Sequence, residues 1–453
     1  MRTIFRVIVV AACAAMPCTL SVAQQSAPLS LRDAIAISLE ENPQKKVALA
    51  DAQLAQAKAW LARTSLLPNL YFNENVNRGN DPVYVFGTRL RQQQFSQADF
   101  ALNSLNRPTP VNNFTTRFSG SWTIFDSWHT ELEIHRADLL AKSASASSTR
   151  SDQEVVRNTV QAYEAVLFAL RQAKLAEHNL VTAKSLEASS TNRFEAGLSV
   201  EADKIAASAY VAERQQEQIM ADGQVQIAWA EVEAAAGTPI PPERRQLLPL
   251  SEHKPPSTPL DEAIALGLRS RPDRKALALQ SEAASSAVAA AKSAFGPQIN
   301  SFGSWETDRA TIAGSGGNNW VAGAELRVDI LPAARRQELA MAKIGLRRAQ
   351  ATSDSADQQI RLEVARAFYG LLAARQSLVV AKASSQQTDE GLRIANDRYE
   401  AGLATMTDLL RTEDQQRQSQ TNYWQALYSN VLRYTDLQFA TGTLSADSAG
   451  DLQ

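Results

Sequence analysis

The chain repeats itself. Leu31, Ala34, Ile35, Leu39, Pro43 and Pro68 return at one constant offset as Leu260, Ala263, Ile264, Leu268, Pro272 and Pro297. Further along, at a shorter constant offset, Ala137, Ala162, Gly197, Asp203 and Gly237 return as Ala342, Ala367, Gly402, Asp408 and Gly442. The most legible piece is Arg193-Phe-Glu-Ala-Gly-Leu198 against Arg398-Tyr-Glu-Ala-Gly-Leu403. A duplicated unit of roughly two hundred residues is too long for a solenoid repeat, so two half-molecules must pack against each other. The change of offset places extra residues in the first copy between Leu70 and Ala137, where a loop can grow without disturbing the rest.

The N-terminus reads as a secretory leader over residues 1–23. Arg2 and Arg6 make a basic start, an apolar run begins at Val7, and Ser21-Val-Ala23 is a small-residue cleavage site before Gln24. The alternative is an ordinary N-terminal helix. Both cysteines, Cys13 and Cys18, fall inside this segment, so cleavage after Ala23 leaves a chain without thiol or disulfide chemistry. Val10-Ala-Ala-Cys13 loosely resembles a lipid-attachment site, but the apolar run before it is short. The formal net charge is -2 and no basic cluster stands out, which argues against nucleic acid as a partner. Beyond the leader no apolar run reaches the length of about 18 residues that a membrane-spanning helix needs. A chain like this can cross a membrane only with strands closed into a barrel.

Most of the chain is rich in Ala, Gln, Glu, Leu, Arg and Ser, the composition of long helices and coiled coils. Between Trp128 and Glu195 there is no Gly or Pro, and between Ala333 and Glu400 no Pro. About 70 helical residues reach roughly 105 Å, a rod for which a compact domain has no use. The return segments are shorter, so the reading is that short helices stack end to end to match each long one as an antiparallel pair. Asn42 can cap a helix that begins at Pro43 and stops at Pro68, and Pro272 and Pro297 repeat the pattern. The reversals fall at Ala196-Gly197 and Ala401-Gly402, where glycine permits positive φ.

Four segments switch to a period of two. Phe114, Thr116, Phe118, Gly120, Trp122 and Ile124 alternate with Thr115, Arg117, Ser119, Ser121 and Thr123. Trp320, Ala322, Ala324, Leu326, Val328 and Ile330 alternate with Asn319, Val321, Gly323, Glu325, Arg327 and Asp329, and Leu70, Phe72 and Val76 with Tyr71, Asn73, Asn75 and Asn77. The fourth segment, 298–306, alternates weakly. One apolar and one polar face over about ten residues suits an outer-membrane barrel, with Trp122, Trp128, Trp305 and Trp320 as candidate interfacial girdles. A soluble sheet with one wet face is the alternative. Four strands cannot close a barrel, since the smallest have about eight, so the barrel reading requires oligomerisation. Three copies would supply twelve strands, and the arithmetic alone also allows two or four. The first strand pair is joined by a long connection carrying Pro82, Pro108 and Pro110, the second by the short Ala313-Gly-Ser-Gly-Gly317.

The leader, the duplication, strand pairs between long helices, and the repeated R-[FY]-E-A-G-L turn followed by Asp203 and Asp408 together resemble the TolC-like outer membrane efflux protein family. The resemblance runs over residues 29–443. It implies a mainly α chain with a β-barrel part: long antiparallel coiled-coil helices forming a periplasmic α-barrel, plus four strands contributed to a shared twelve-stranded outer-membrane barrel in a homotrimer. It implies location in the Gram-negative outer membrane, and as partners outer-membrane lipid, a periplasmic adaptor protein and an inner-membrane RND, ABC or MFS pump. The expected division is a leader (1–23), a first repeat (24–237: helices 31–67, strands about 69–78 and 114–125, helices 127–237), a Pro-rich linker at the tunnel's waist (238–259), a second repeat (260–442: helices 260–296, strands about 298–306 and 319–330, helices 332–442) and a tail (443–453). Gly197, Leu198, Gly402 and Leu403 would lie at the periplasmic tip where the adaptor docks. Phe194, Asp203, Tyr399 and Asp408 occupy positions where the family often places tip contacts and acidic rings. Ala404 departs from the family's best-known member, which has a basic residue there for an inter-helix ion pair. Arg411 stands where a second aspartate would line the constriction, and a basic group beside Asp408 would partly neutralise a cation site. Asp203 and Asp408 are equally readable as solvated residues or as first-turn acids favoured by the helix dipole.

Enzyme chemistry finds no support in the sequence. His129 and Glu133 share a helical face, but His135 points elsewhere and a metal needs three or four convergent ligands. His178 and His253 have no companions, and no P-loop, nucleophile elbow, HExxH or dinucleotide fingerprint is present. No cofactor is expected. The functional expectation is a passive exit duct of a tripartite efflux pump or type I secretion system, the alternative a non-transporting periplasmic coiled-coil scaffold or adhesin.

Overall fold

A computed structural model describes residues 28–249 and 258–450. The expected leader with Cys13 and Cys18, His253, and part of the 238–259 linker lie outside these residues. The first half runs α1 (Leu31–Glu41), α2 (Pro43–Thr64), β1 (Asn69–Gly79), α3 (Pro82–Arg91), α4 (Leu102–Asn106), β2 (Val111–Phe125), α5 (His129–Glu195) and α6 (Glu201–Ala236). The second runs α7 (Leu260–Ser270), α8 (Pro272–Ser293), β3 (Gln298–Arg309), β4 (Gly316–Arg327), α9 (Ala333–Glu400), α10 (Met406–Thr441) and α11 (Ala446–Gly450).

With 67 residues and no internal breaker, α5 extends about 100 Å. Two shorter helices share its length, α6 along one part and α2 along another. They abut where α6 ends on Gly237, which takes φ +75 and terminates the helix. A Cβ on Gly237 would lie 2.8 Å from the Cα of Asn42, so only glycine lets the two ends meet. Asn42 serves both ends: its Oδ1 accepts from the Gln44 N–H at 2.8 Å, capping α2, and its Nδ2 donates to the Ala235 carbonyl at 2.7 Å, capping α6. The second half repeats the joint with different chemistry. Gly442, at φ +74, abuts Arg271, whose Nη1 approaches the Ala440 carbonyl at 3.4 Å.

The largest core surrounds this level. Leu29, Leu31 and Ile35 pack with Val156, Val160, Tyr163 and Val166 of α5, Trp229 and Val232 of α6, and Leu444. The described part of the linker closes over it: Leu29 donates its N–H to the Gln246 carbonyl at 2.7 Å, and the Tyr163 hydroxyl accepts the Leu248 N–H at 2.9 Å. A smaller cluster of Ala263, Ile360, Val364, Leu371 and Leu437 plays the same part under α7.

The strands form one antiparallel sheet in the order β1-β2-β3-β4. Register puts Phe72, Phe118, Trp305 and Trp320 side by side, one from each strand, and all four are exposed. The opposite face is polar, with Arg117 Nε donating to Glu306 Oε2 at 2.8 Å. The weak alternation of β3 has a cause in the register: Phe302 stands on the polar face, between Ser121 and Gly323. Three strands differ from expectation: β2 begins at Val111 rather than 114, β3 runs on to Arg309 rather than 306, and β4 is displaced. β4 spans Gly316–Arg327 rather than 319–330, because Gly316 and Gly317 pair with Arg309 and Asp308 instead of turning. Val328 and Ile330 therefore follow the strand. The long connection between β1 and β2 is also no open loop: Asp81 caps α3 by accepting the Tyr84 N–H at 2.8 Å, and Pro82 fills the first helical position.

Candidate functional site: the two helix reversals

Both long helices end in the same turn. Gly197 and Gly402 take φ +72 and +71, and the N–H groups of Leu198 and Leu403 donate to the carbonyls of Arg193 and Arg398, each at 2.8 Å. This is the six-residue helix-ending motif that requires a left-handed residue after the last turn. It leaves Leu198 and Leu403 projecting, each 71% exposed.

Among the expected gate residues, Tyr399 is central. It is buried against Ala207, Met406 and Leu409, flanked by Leu186 of α5 and Ala404. The ring therefore joins the α9–α10 pair to the α5–α6 pair. Arg193 lies over it at 5.0 Å. Burial pushes the phenol's pKa up, with Arg193 opposing and Asp203 adding to the rise. The Tyr399 hydroxyl has no hydrogen-bond partner among the described residues, so the contact is one of packing and charge. Ala404, where the resemblance pointed to a missing basic residue, packs into this cluster.

Phe194 stays within its own hairpin, under Lys204 Nζ at 5.7 Å. Asp408 is exposed and occupied by its own helix. Its carboxylate accepts from the Thr405 N–H at 3.2 Å and hydroxyl at 2.6 Å, while the Asp408 N–H donates back to Thr405 Oγ1 at 3.1 Å. This reciprocal cap holds the Asp408 carboxyl below its ordinary pKa, with Arg411 and Arg398 contributing less. In the first copy Val200 replaces the capping threonine, and α6 begins without a side-chain cap.

One buried ionic cluster was missed by sequence reasoning. Arg214 of α6 is completely buried. It stands 2.9 Å from Glu213, 3.1 Å from Glu217 and 3.4 Å from Asp414 of α10, with the Tyr210 ring 4.6 Å beneath. Arg417 of α10 returns the exchange to Glu217 at 3.4 Å. None of the guanidinium nitrogens of Arg214 makes a well-directed hydrogen bond, so charge alone carries the contact. Burial, then the neighbouring Asp414, pushes the Glu413 carboxyl up. The available signal was a break in the duplication: Ser419 occupies the position matching Arg214.

The histidine patch is not drawn together. His129 Nδ1 lies 3.1 Å from the Ala290 carbonyl, and Glu133 accepts from Arg136. Among the described residues no group of His, Cys, Asp and Glu is arranged to hold a metal ion.

Long helices turning at paired glycines, beneath a sheet with one apolar face, define a channel-type outer membrane fold. The outer membrane efflux protein family matches residues 34–238 and 263–443, and the chain belongs to that family. It is 26% identical over 402 residues to Outer membrane protein OprJ of Pseudomonas aeruginosa, covering 86% of this chain and 79% of OprJ. Its fold matches the Campylobacter jejuni CmeC outer membrane channel with a TM-score of 0.79 at 17% identity, over 92% of this chain and 88% of that one. It also matches the open state of the Neisseria gonorrhoeae MtrE outer membrane channel, with a TM-score of 0.74 at 19% identity, over 92% and 91% of the two chains.

Proposed function

We propose that three copies of this chain pool their strands into a twelve-stranded outer-membrane barrel standing on a periplasmic tunnel of paired helices. The assembly is the passive exit duct of a tripartite pump. The observation that carries this reading is the sheet. Its outer strands, β1 and β4, have no partner on their free edges among the described residues. Its apolar face carries an exposed aromatic row. In lipid an open edge leaves backbone groups unsatisfied, and only closure with neighbouring copies removes it. The row of Phe72, Phe118, Trp305 and Trp320 then becomes part of an interfacial girdle.

The reversals form the periplasmic tip, where Gly197, Leu198, Gly402 and Leu403 meet the adaptor. Energy comes from an inner-membrane RND, ABC or MFS pump. Tyr399, Arg193 and Asp203 hold the two hairpins of a protomer together at the constriction. Phe194 stiffens the first hairpin, and Asp408 with Arg411 supports the start of α10 from its exposed side. The test is the detergent-solubilised protein: its mass should be that of three chains, and it should conduct ions in planar bilayers. Full recovery as a folded monomer without detergent would reject the proposal.

A further inference from the structure

We infer that the segment joining β1 to β2 is a lid over the outer mouth of the pore, and that it restricts the cargo to small solutes. The inference rests on the trimeric pore proposed above and adds the substrate class.

The segment is a folded body. Phe95 packs edge-on to Phe86 and Phe100 at 4.7 and 5.1 Å, and Arg89 pairs with Asp99. On α3 Val85 and Thr88 are buried, and so is Gln92, which caps its C-terminus. α3 packs on β2, β3 and β4, reaching from the hairpin it belongs to across the next one.

The side of the sheet on which it rests follows from strand parity. Gln92 Nε2 donates to Asn113 Oδ1 at 2.9 Å and to the Asn112 carbonyl at 2.8 Å. Asn113 Nδ2 donates onward to Asp308 Oδ1 at 2.6 Å, and Thr115 Oγ1 donates to the same oxygen at 2.9 Å. Asn319 Nδ2 spans from the Arg91 carbonyl, at 3.5 Å, to Asp308 Oδ2, at 3.4 Å. Asn113 and Thr115 share the face of Arg117, and Asp308 that of Glu306, so all point to the polar side of the sheet. That side is the pore lumen. Asp308 is completely buried beneath the lid, an expensive place for a carboxylate unless its oxygens are bonded, as these are. Gly317 completes the fit. A Cβ there would lie 1.9 Å from the Arg91 carbonyl, so the lid backbone sits where only glycine makes room.

A helix with its side chains is about 10 Å across, so a lid lying on the inner wall narrows the opening by roughly that amount from each of three sides. Small solutes can pass such an outlet; polypeptides cannot while the lids are fastened. Gln92, Asp308 and Gly317 are thus specificity-determining positions.

The test uses external thiol labelling. Cysteine occurs in this sequence only at 13 and 18, inside the expected leader, so Ser121→Cys places a single thiol on the polar face inward of the lid. Intact cells are treated with a small maleimide or with one carried on a polyethylene glycol of several kilodaltons. The small reagent should label every version. The large one should label the natural lid slowly, and should label several-fold faster both Gln92→Ala and a variant in which residues 82–109 are replaced by a short Gly-Ser turn. Equal rates for the large reagent in all three would overturn the lid. No labelling by the small reagent would instead show that the polar face is not a lumen open to the outside, and both readings would fall. If the shortened variant does not assemble, Gln92→Ala alone decides.

Discussion

Asn42 and Ala235 belong to helices far apart in sequence, and the Asn42 Nδ2 donates to the Ala235 carbonyl at 2.7 Å. One side chain thereby ends α6 and begins α2. Asn42→Ala should remove both caps and lower stability by about 1–2 kcal/mol, read as a fall in the thermal midpoint of the detergent-solubilised protein. Asn42→Asp retains the acceptor for Gln44 and should lose roughly half as much. An Asn42→Asp variant as stable as the natural protein would show that the Ala235 contact contributes nothing.

Tyr399 acts through its ring, since its hydroxyl has no hydrogen-bond partner among the described residues. Tyr399→Ala should separate the two hairpins and raise conductance in planar bilayers. Tyr399→Phe should leave conductance near that of the natural protein. A large rise with phenylalanine would mean that the hydroxyl bonds to a neighbouring copy.

Asp408→Ala should also raise passive conductance, by fraying the first turn of α10, and Thr405→Ala should do the same by removing the other half of the cap. The Asp408 carboxyl is held below its ordinary value of 3.8. Its contribution is therefore fully present above that pH and disappears only as pH falls through the lowered pKa. Conductance that is unchanged in Asp408→Ala at neutral pH would remove it from the gate.

The buried Arg214 pairs with acids on its own helix and on α10. Arg214→Ala removes a wholly buried side chain between α6 and α10, and because Glu213 and Asp414 stay largely in solvent the loss should be about 1–2 kcal/mol. The double change Arg214→Met with Asp414→Asn removes charge from both sides and should recover much of the loss. Thermal melting of the single and double variants checks this, and additive losses would dissolve the pairing.

Glu164 is almost wholly buried in α5, with one carboxyl oxygen unpartnered. Burial raises its pKa well above 4.5, and Asp436, itself paired with Arg157 and Arg433, adds to the rise. The folded chain keeps this proton at pH values where the unfolded chain has released it. Stability should therefore fall as pH rises from about 4.5 to the raised pKa. Glu164→Gln should flatten that slope and raise the melting temperature at neutral pH. A slope unaltered by the substitution would assign it to other groups.

The features legible in the sequence were those with local causes. Gly197 and Gly402 mark reversals because a positive φ is needed there, and alternation marks strands because side chains alternate by geometry. The lid escaped notice because α3 is short and buries only Val85 and Thr88, with Gln92 just past its end, a mixed set with no apolar stripe to detect. Arg214 escaped because an arginine on a helix is ordinarily solvated, and only packing between α6 and α10 buries it. The β4 start was misplaced because Gly316-Gly317 has the composition of a turn, while pairing with β3 makes it strand. Thr405-x-x-Asp408 was present as a capping pattern, yet its position beside the reversal invited a gating role first.

α5 and α9 run unbroken from the reversals to the sheet, whereas α6 with α2, and α10 with α8, abut without a covalent bond. Torque at the foot therefore reaches the collar through half of the staves. The other half is joined only by the polar contacts of Asn42 and Arg271, and load crosses there from helix to helix through hydrogen bonds alone.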